Sequence, residues 1–438
     1  MGPTHLQLAM ARAASAALLL CLLCLPGSAA ELTAKTSALV DKAMTEEMEK
    51  QALVGAALGV IVDGEIAYLK GYGLADREAA VPVTRKTLFR WASISKSVTS
   101  VAAMQLYEKG LFDLGKDVRT YVPEFPDKKA LITPRDLLCH QGGIVHYTNG
   151  ELIRTQQEYE TANPFESVIL ALDTFKESPL VNQPGEKFSY TTHGFILLSA
   201  AIERAGKEKF ASQVRNRIIL PLGMTTMQPD YQWKTIPNRA VGYLRKKGKV
   251  IPSTNTDVSW KLAGGGYISN IDDLAIFARA LIHGKLVKPE TEQLMWTPQK
   301  LKSSKPTTYA YGFNINGMGD DLQVAHNGGQ EKTRTRMVIF PRKRFGVVVM
   351  SNSEHCNSKK LAGAIVGTFS KPAGKKSGET SRLQPGETHP QKREKVKLLP
   401  SVPQTGKEDA RLFEKLHKYV QARLNALTAR NVRPAERP

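Results

Sequence analysis

The sequence predicts an α+β protein: one antiparallel sheet assembled from both ends of the chain, helices packed on it, and a helical insertion between the two groups of strands. Three observations lead there. A hairpin pattern lies near residue 60, a largely apolar helical stretch near residue 100, and a series of strand-length segments follows residue 309 and closes in a helix. Strands contributed by opposite ends must meet in one sheet if their apolar faces are to be buried by the helices between them.

Each element has a local reason. Residues 1–30 hold an apolar run, Ala16 to Leu25, followed by Pro26-Gly27 and Ser28-Ala29-Ala30. Small residues at the last and third-last positions predict a signal peptide cleaved after Ala30, and so a secreted or periplasmic protein. The run is short for a membrane span, so no transmembrane segment is expected once the leader is removed. Cys21 and Cys24 leave with it; Cys139 and Cys356 remain and could pair in an oxidising compartment. Lys35 to Gln51 spaces Leu39, Val40, Ala43, Met44 and Met48 at helical intervals. Gly55–Val62 and Ile66–Gly73 flank Asp63-Gly64, a strong hairpin signal.

From Ile94 to Leu106 nearly every residue is small or apolar, which predicts a helix buried on most sides, stopped by Gly110. Thr133-Pro134 reads as the N-cap and first residue of a short helix. Residues 150–180 are polar and helical in pieces. Pro184-Gly185 turns the chain into Lys187–Tyr190, and His193–Arg204 is an apolar helix ended by Gly206. Gly264-Gly265-Gly266-Tyr267-Ile268 reads as a buried strand or a close approach of backbones. Ser269, three residues before Asp272, is the expected cap of a helix reaching His283 and stopped by Gly284. Strands are expected at Tyr309–Ile315, Leu322–His326, Thr335–Phe340 and Phe345–Met350, with a turn at Pro341–Arg344 and a last helix over Asn357–Phe369.

Beyond Ser370 the composition shifts. Residues 371–406 are rich in Lys, Gly, Pro, Ser, Thr and Glu, a basic linker unsuited to packing. Leu412, Phe413, Leu416, Tyr419, Val420, Leu424 and Leu427 then give residues 407–438 a short amphipathic helix. The chain of 438 residues carries a net charge of +20, and residues 371–438 hold 16 Lys/Arg against 7 Asp/Glu. Nearly half the excess charge therefore sits on an appendage, which suits an anionic envelope component as partner; no motif points to specific nucleic-acid recognition. An apolar content of 42% is enough for a sizeable core.

The chemistry is carried by Ser93-Ile94-Ser95-Lys96. Residues three apart share a helix face, so the Ser93 hydroxyl and Lys96 amine are neighbours on the first turn. Serine needs such a group to take its proton, and a lysine whose pKa is lowered by burial is one. Two further stretches stand beside it: Tyr190-Thr191-Thr192 in a polar loop before a helix, and His326-Asn327-Gly328-Gly329 at the end of an expected strand. No G-x-S-x-G elbow, phosphate loop, dinucleotide fingerprint or H-E-x-x-H occurs, and no ligand spacing predicts a metal or other cofactor.

In this order the three stretches resemble the S-x-x-K, Y-x-N and K-T-G or H-x-G motifs of the serine β-lactamase and penicillin-binding-protein superfamily. Phe89–Ser93, Tyr121–Phe125, Leu137–His140 and Phe340-Pro341 look like its class C β-lactamase-related group. His146-Tyr147, Trp260–Gly266 and Met295–Pro298 look like the mitochondrial serine β-lactamase-like proteins. The resemblance covers about residues 35–370. It implies a β-lactamase/transpeptidase-like fold over residues 31–370 and an acyl-enzyme at Ser93. Lys96 and Tyr190 would be its proton-transfer partners, and the backbone N–H groups of Ser93 and Gly329 the oxyanion hole. Thr192, His326, Asn327 and Gly328 would contact a small-molecule or peptide substrate. Thr192 stands where the family usually has Asn, and His326-Asn327 where β-lactam binders have Lys-Thr. Esterase, amidase or peptidase action is therefore expected ahead of β-lactam hydrolysis. D-alanyl carboxypeptidase action, or an assembly role carried by the basic tail, are the alternatives. Lys332, Arg334 and Arg336 alternate and could restore positive charge along one strand face.

Overall fold

The computed structural model describes residues 31–370. The expected signal peptide, linker and tail helix lie outside the described residues. Residues 146–150 group apart from the other described residues and form a small turn in which the His146 N–H donates to Asn149 Oδ1 at 2.7 Å.

The strands in chain order are β1 (Gly55–Val62), β2 (Glu65–Asp76), β3 (Val81–Pro82), β4 (Phe89–Arg90), β5 (Gln228–Pro229), β6 (Tyr243–Lys246), β7 (Lys249–Pro252), β8 (Tyr267–Ser269), β9 (Asn314–Asn316), β10 (Gln323–Gln330), β11 (Thr333–Phe340) and β12 (Phe345–Ser351). The α-helices are α1 (Ala34–Gln51), α2 (Ser95–Glu108), α3 (Pro134–Leu138), α4 (His193–Gly206), α5 (Phe210–Val214), α6 (Leu262–Gly265), α7 (Ile271–Ile282), α8 (Pro289–Met295) and α9 (Ser358–Ser370).

The main sheet has seven strands in the order β3-β2-β1-β12-β11-β10-β9, with antiparallel pairing throughout. The two chain ends thus meet at β1 and β12, where Leu58 lies opposite Val349 and Val60 opposite Val347. Alternation along these strands feeds two cores. Ala56, Leu58, Val60, Val347 and Val349 meet Val40 and Met44 of α1 and Leu361 and Ile365 of α9. Ala57, Ile61, Val348 and Met350 face the other way, into the larger core with α2, α4 and α7. Burial on both faces explains why β1 reads as a continuous apolar run. The helical insertion expected between the strand groups is present, and residues 150–180 contribute 3₁₀ turns at Pro164–Glu166 and Leu170–Thr174.

Several local expectations shift by a physical reason. Thr133 caps α3 as expected, in a full capping box with Asp136. The cap of α7, however, is Asn270, whose side chain accepts from Asp273 N–H. Ser269 is drawn off by Trp91, whose Nε1 donates to Ser269 Oγ at 2.6 Å. The glycines 264–266 form the end of α6 and its cap, and the strand begins only at Tyr267. Of the expected Tyr309–Ile315 strand only Asn314 and Ile315 pair with β10, with Asn316 added beyond it; Tyr309 is turned inward toward His326. Residues 326–329 lie within β10, and the turn comes after them. Cys139 and Cys356 are both free thiols, buried in different cores, so the disulfide does not form. Among the described residues, no helix is long and apolar enough to cross a membrane.

Candidate active site

The chain delivers Ser93 by a short pairing and a forced turn. Phe89 and Arg90 pair with Ser269 and Ile268 of β8, and Trp91 N–H donates to Tyr267 O at 2.8 Å. Ala92 then adopts φ 48°, a left-handed conformation that costs a residue with a β-carbon roughly 1–2 kcal/mol. A 3₁₀ turn spans Ala92–Ile94, and α2 starts at Ser95. Ser93 therefore sits on the turn that enters the helix, one step ahead of the first α-turn the spacing predicts. It is half-buried, whereas Trp91, Ala92, Ile94 and Lys96 are buried around it.

Two threonines that sequence reasoning passed over hold this turn against the sheet. Thr333 Oγ1 donates to Arg90 O at 3.0 Å, and Thr335 Oγ1 donates to Trp91 O at 2.9 Å. Both alternate with arginines on β11, and that alternation was the available signal. Gly328, opposite Thr335, is required by the same contact: a β-carbon there would lie 2.0 Å from Thr335 Oγ1 and 2.4 Å from Trp91 O.

Lys96 is fully buried. Its Nζ lies 3.4 Å from Ser93 Oγ, 3.2 Å from Thr192 Oγ1 and 2.7 Å from Gly264 O. Burial holds its pKa well below the usual lysine value, and the charge of Lys261 pushes in the same direction. The close approach expected at the glycine run is this one: α6 presents the Gly264 carbonyl to the amine. Thr192, at the start of α4, does not cap the helix, a place taken by Thr191, whose Oγ1 accepts from Gly194 N–H at 3.2 Å; the Thr192 hydroxyl lies against Lys96 instead.

Tyr190 is half-buried beside this group, its ring centroid 4.9 Å from Lys96 Nζ. The ring packs on His140 at 4.2 Å and edge-on to Tyr309 at 6.4 Å. Thr191 fixes the loop, donating from Oγ1 to Val145 O at 2.7 Å and from its N–H to His140 Nδ1 at 3.2 Å.

His326 is buried, and burial above all pushes its pKa down to about 3. It is a neutral imidazole. Nδ1 lies 2.7 Å from Asn327 O, which can only accept, so Nδ1 carries the proton and Nε2 accepts from Tyr309 OH at 2.9 Å. Asn327 Oδ1 accepts from Arg336 at 2.5 Å, and Gly329 is exposed on β10 opposite Arg334. Arg334 and Arg336 share a face of β11. Lys332 does not join them: it occupies the β10–β11 turn at φ 69° and donates from Nζ to Asn255 Oδ1 at 2.7 Å. A second buried lysine, Lys261, lies 3.9 Å from Glu331 at the end of β10; the sequence reading gave it no role.

The geometry gathers Ser93, Tyr190 and Thr192 around the Lys96 amine, and β10, through Gly328, brings His326–Gly329 alongside the turn that carries Ser93. A family model described as Beta-lactamase matches residues 40–366. The human serine beta-lactamase-like protein LACTB, mitochondrial, is 32% identical over 342 residues, covering 60% of this chain and 62% of that protein. The chain thus matches about three-fifths of that relative's length. Among solved structures, the octameric penicillin-binding protein homologue from Pyrococcus abyssi superposes with a TM-score of 0.64 at 24% identity, covering 76% of this chain and 77% of that one. EstCE1, a hydrolase with promiscuous acyltransferase activity, gives a TM-score of 0.64 at 18% identity over 76% of this chain and 98% of its own. These two likenesses show the fold.

Proposed function

The chain belongs to the beta-lactamase family, and from that premise we propose that it is a serine hydrolase acting through an acyl-serine at Ser93. One observation carries the reading. A neutral lysine amine has two hydrogens and one lone pair. Gly264 O and Thr192 Oγ1 stand where they take the two hydrogens, which leaves the lone pair for Ser93 Oγ at 3.4 Å. Burial favours that neutral form.

In the proposed reaction Ser93 Oγ attacks a carbonyl carbon while its proton passes to Lys96, with Tyr190 alongside. The tetrahedral oxyanion accepts from the N–H groups of Ser93 and Gly329; one such donor is typically worth about 3–4 kcal/mol. The proton then goes to the leaving group as its bond to carbon breaks. A water, relieved of a proton by the same pair, hydrolyses the acyl-serine. Thr192 acts in this scheme through Lys96 as a positioning residue, whereas Asn327, Gly328 and neutral His326 line the strand along which substrate lies.

Esters, amides and peptides fit better than β-lactams. The third motif lacks the lysine of β-lactam binders, since His326 stands in its place and is uncharged. Turnover of a short-chain aryl ester, compared with a chromogenic cephalosporin, tests this preference; faster cephalosporin hydrolysis overturns it. The leader-like residues 1–30 support export, and the basic residues 371–438 support attachment to an anionic envelope surface.

A further inference from the structure

At Phe188 the surface opens into a groove of 630 Å³, walled by residues 186–188 on one side and by the hairpin-like segment 301–308 on the other. Both walls lead directly into the site. Phe188 precedes Tyr190 by two residues, and its ring stands edge-on to His140 at 5.8 Å and lies 5.7 Å from Tyr309. Thr308 immediately precedes Tyr309, whose hydroxyl donates to His326.

The walls are held by backbone. Gly185 N–H donates to Gln141 O at 2.8 Å, Ser189 N–H to His140 O at 2.8 Å, Lys302 N–H to Gly185 O at 2.9 Å, and Leu301 N–H to Lys305 O at 3.0 Å. Gly185 sits at φ 81°, and a β-carbon there would meet the Lys302 stem at 2.9 Å. Yet within this fixed frame Phe188 remains 41% exposed. A rigid loop that leaves an aromatic ring facing solvent offers a surface for an apolar group.

The charge of the groove completes the pattern. Lys187 and Lys305 line it, and neither ammonium has an ion-pair partner among the described residues. Glu186 also lines it, and its carboxylate accepts from Gln183 N–H at 3.3 Å. Of the other cations near the cleft, Lys261 lies 3.9 Å from Glu331, Arg334 donates to Gln330 O and Thr333 O, and Arg336 donates to Asn327 Oδ1. Lys187 and Lys305 thus offer a carboxylate on the substrate two ammonium groups that no acidic side chain among the described residues pairs with.

We propose that the groove is a substrate subsite that stacks an apolar or aryl portion on Phe188 and binds a carboxylate between Lys187 and Lys305. This rests on the acyl-serine reading and names the substrate class: acyl compounds carrying an anionic group away from the scissile bond. The test uses matched esters, phenyl acetate against 4-carboxyphenyl acetate and phenyl butyrate against monophenyl glutarate, so that the carboxylate sits on the leaving group or on the acyl group. The double variant Lys187→Ala/Lys305→Ala is expected to lower kcat/KM for at least one carboxylate ester about 5–10-fold, mainly through KM. That is the size two partly exposed charge pairs supply. The neutral twin should stay within about twofold, and added salt should reproduce the loss in the parent protein. Equal effects on both twins, or none, overturn the subsite.

A second readout needs no turnover. In Ser93→Ala, calorimetry should find the carboxylate ester bound more tightly than its twin, and the lysine substitutions should erase the difference. Binding discrimination without turnover in the parent protein sinks the hydrolase reading and keeps the subsite. Turnover without discrimination does the reverse.

Discussion

Replacing Lys96 by methionine separates the two roles assigned to that amine. In an unfolded chain a lysine titrates near pH 10.4. In the folded protein burial, aided by Lys261, depresses the Lys96 value well below the ordinary one. Below about pH 10.4 the unfolded chain therefore binds a proton at this position that the folded chain does not. Stability falls as pH falls through that point, at up to about 1.4 kcal/mol per unit, and levels off only below the folded pKa. Methionine does not titrate. Its substitution also strips donors from Gly264 O and Thr192 Oγ1, a cost of about 1–3 kcal/mol that does not vary with pH. That constant offset drops out of the comparison, and the slope with pH is what is read. Between pH 10 and pH 9 the stability of Lys96→Met relative to the parent should rise by about 1 kcal/mol. Urea unfolding at closely spaced pH values measures this, and ester turnover should fall at the same time by about 10²–10⁴-fold. A relative stability that stays flat across that window would mean Lys96 is charged in the folded protein, and it could not then accept the Ser93 proton.

Two further outcomes follow from contacts around the same turn. Gly328→Ala places a β-carbon against Thr335 Oγ1 and the Trp91 carbonyl, neither of which is the end of a flexible side chain; it should cost about 1–3 kcal/mol in thermal or urea unfolding and most of the ester turnover, and full activity at parent stability would show that β10 does not fix the nucleophile turn. Lys261→Met removes the positive charge that helps depress Lys96, so the Lys96 pKa should rise and the acidic limb of the kcat/KM profile should move to higher pH; an unmoved limb would show that the two lysines are not coupled.

What the sequence reveals and what it hides divide by the range of the interactions involved. The hairpin at Asp63-Gly64, the Thr133 cap and the stop at Gly110 are local chemistry, and each stands where the residues indicate. The meeting of β1 with β12 follows from two apolar runs that need partners on both faces. Misplaced elements are those a distant side chain overrides: Ser269 loses the cap of α7 to a hydrogen bond with Trp91, and Tyr309 leaves the sheet for His326. Within the site, the S-x-x-K spacing names Ser93 and Lys96, but no spacing reveals that the Gly264 carbonyl orients the amine from 168 residues away. The contact of Thr192 with Lys96 is hidden for the same reason, because its hydroxyl is aimed by the start of α4 at a lysine on another helix. Lys332 shows the converse: alternation with Arg334 and Arg336 suggests a shared strand face, and one residue of left-handed backbone in the turn removes it.

The most direct test of the acyl-serine claim is intact mass after treatment with a fluorophosphonate, run on the parent protein and on Ser93→Ala. The account predicts a single adduct on the parent, mapped to the peptide containing Ser93, and none on Ser93→Ala under the same conditions. Equal labelling of both proteins would contradict it.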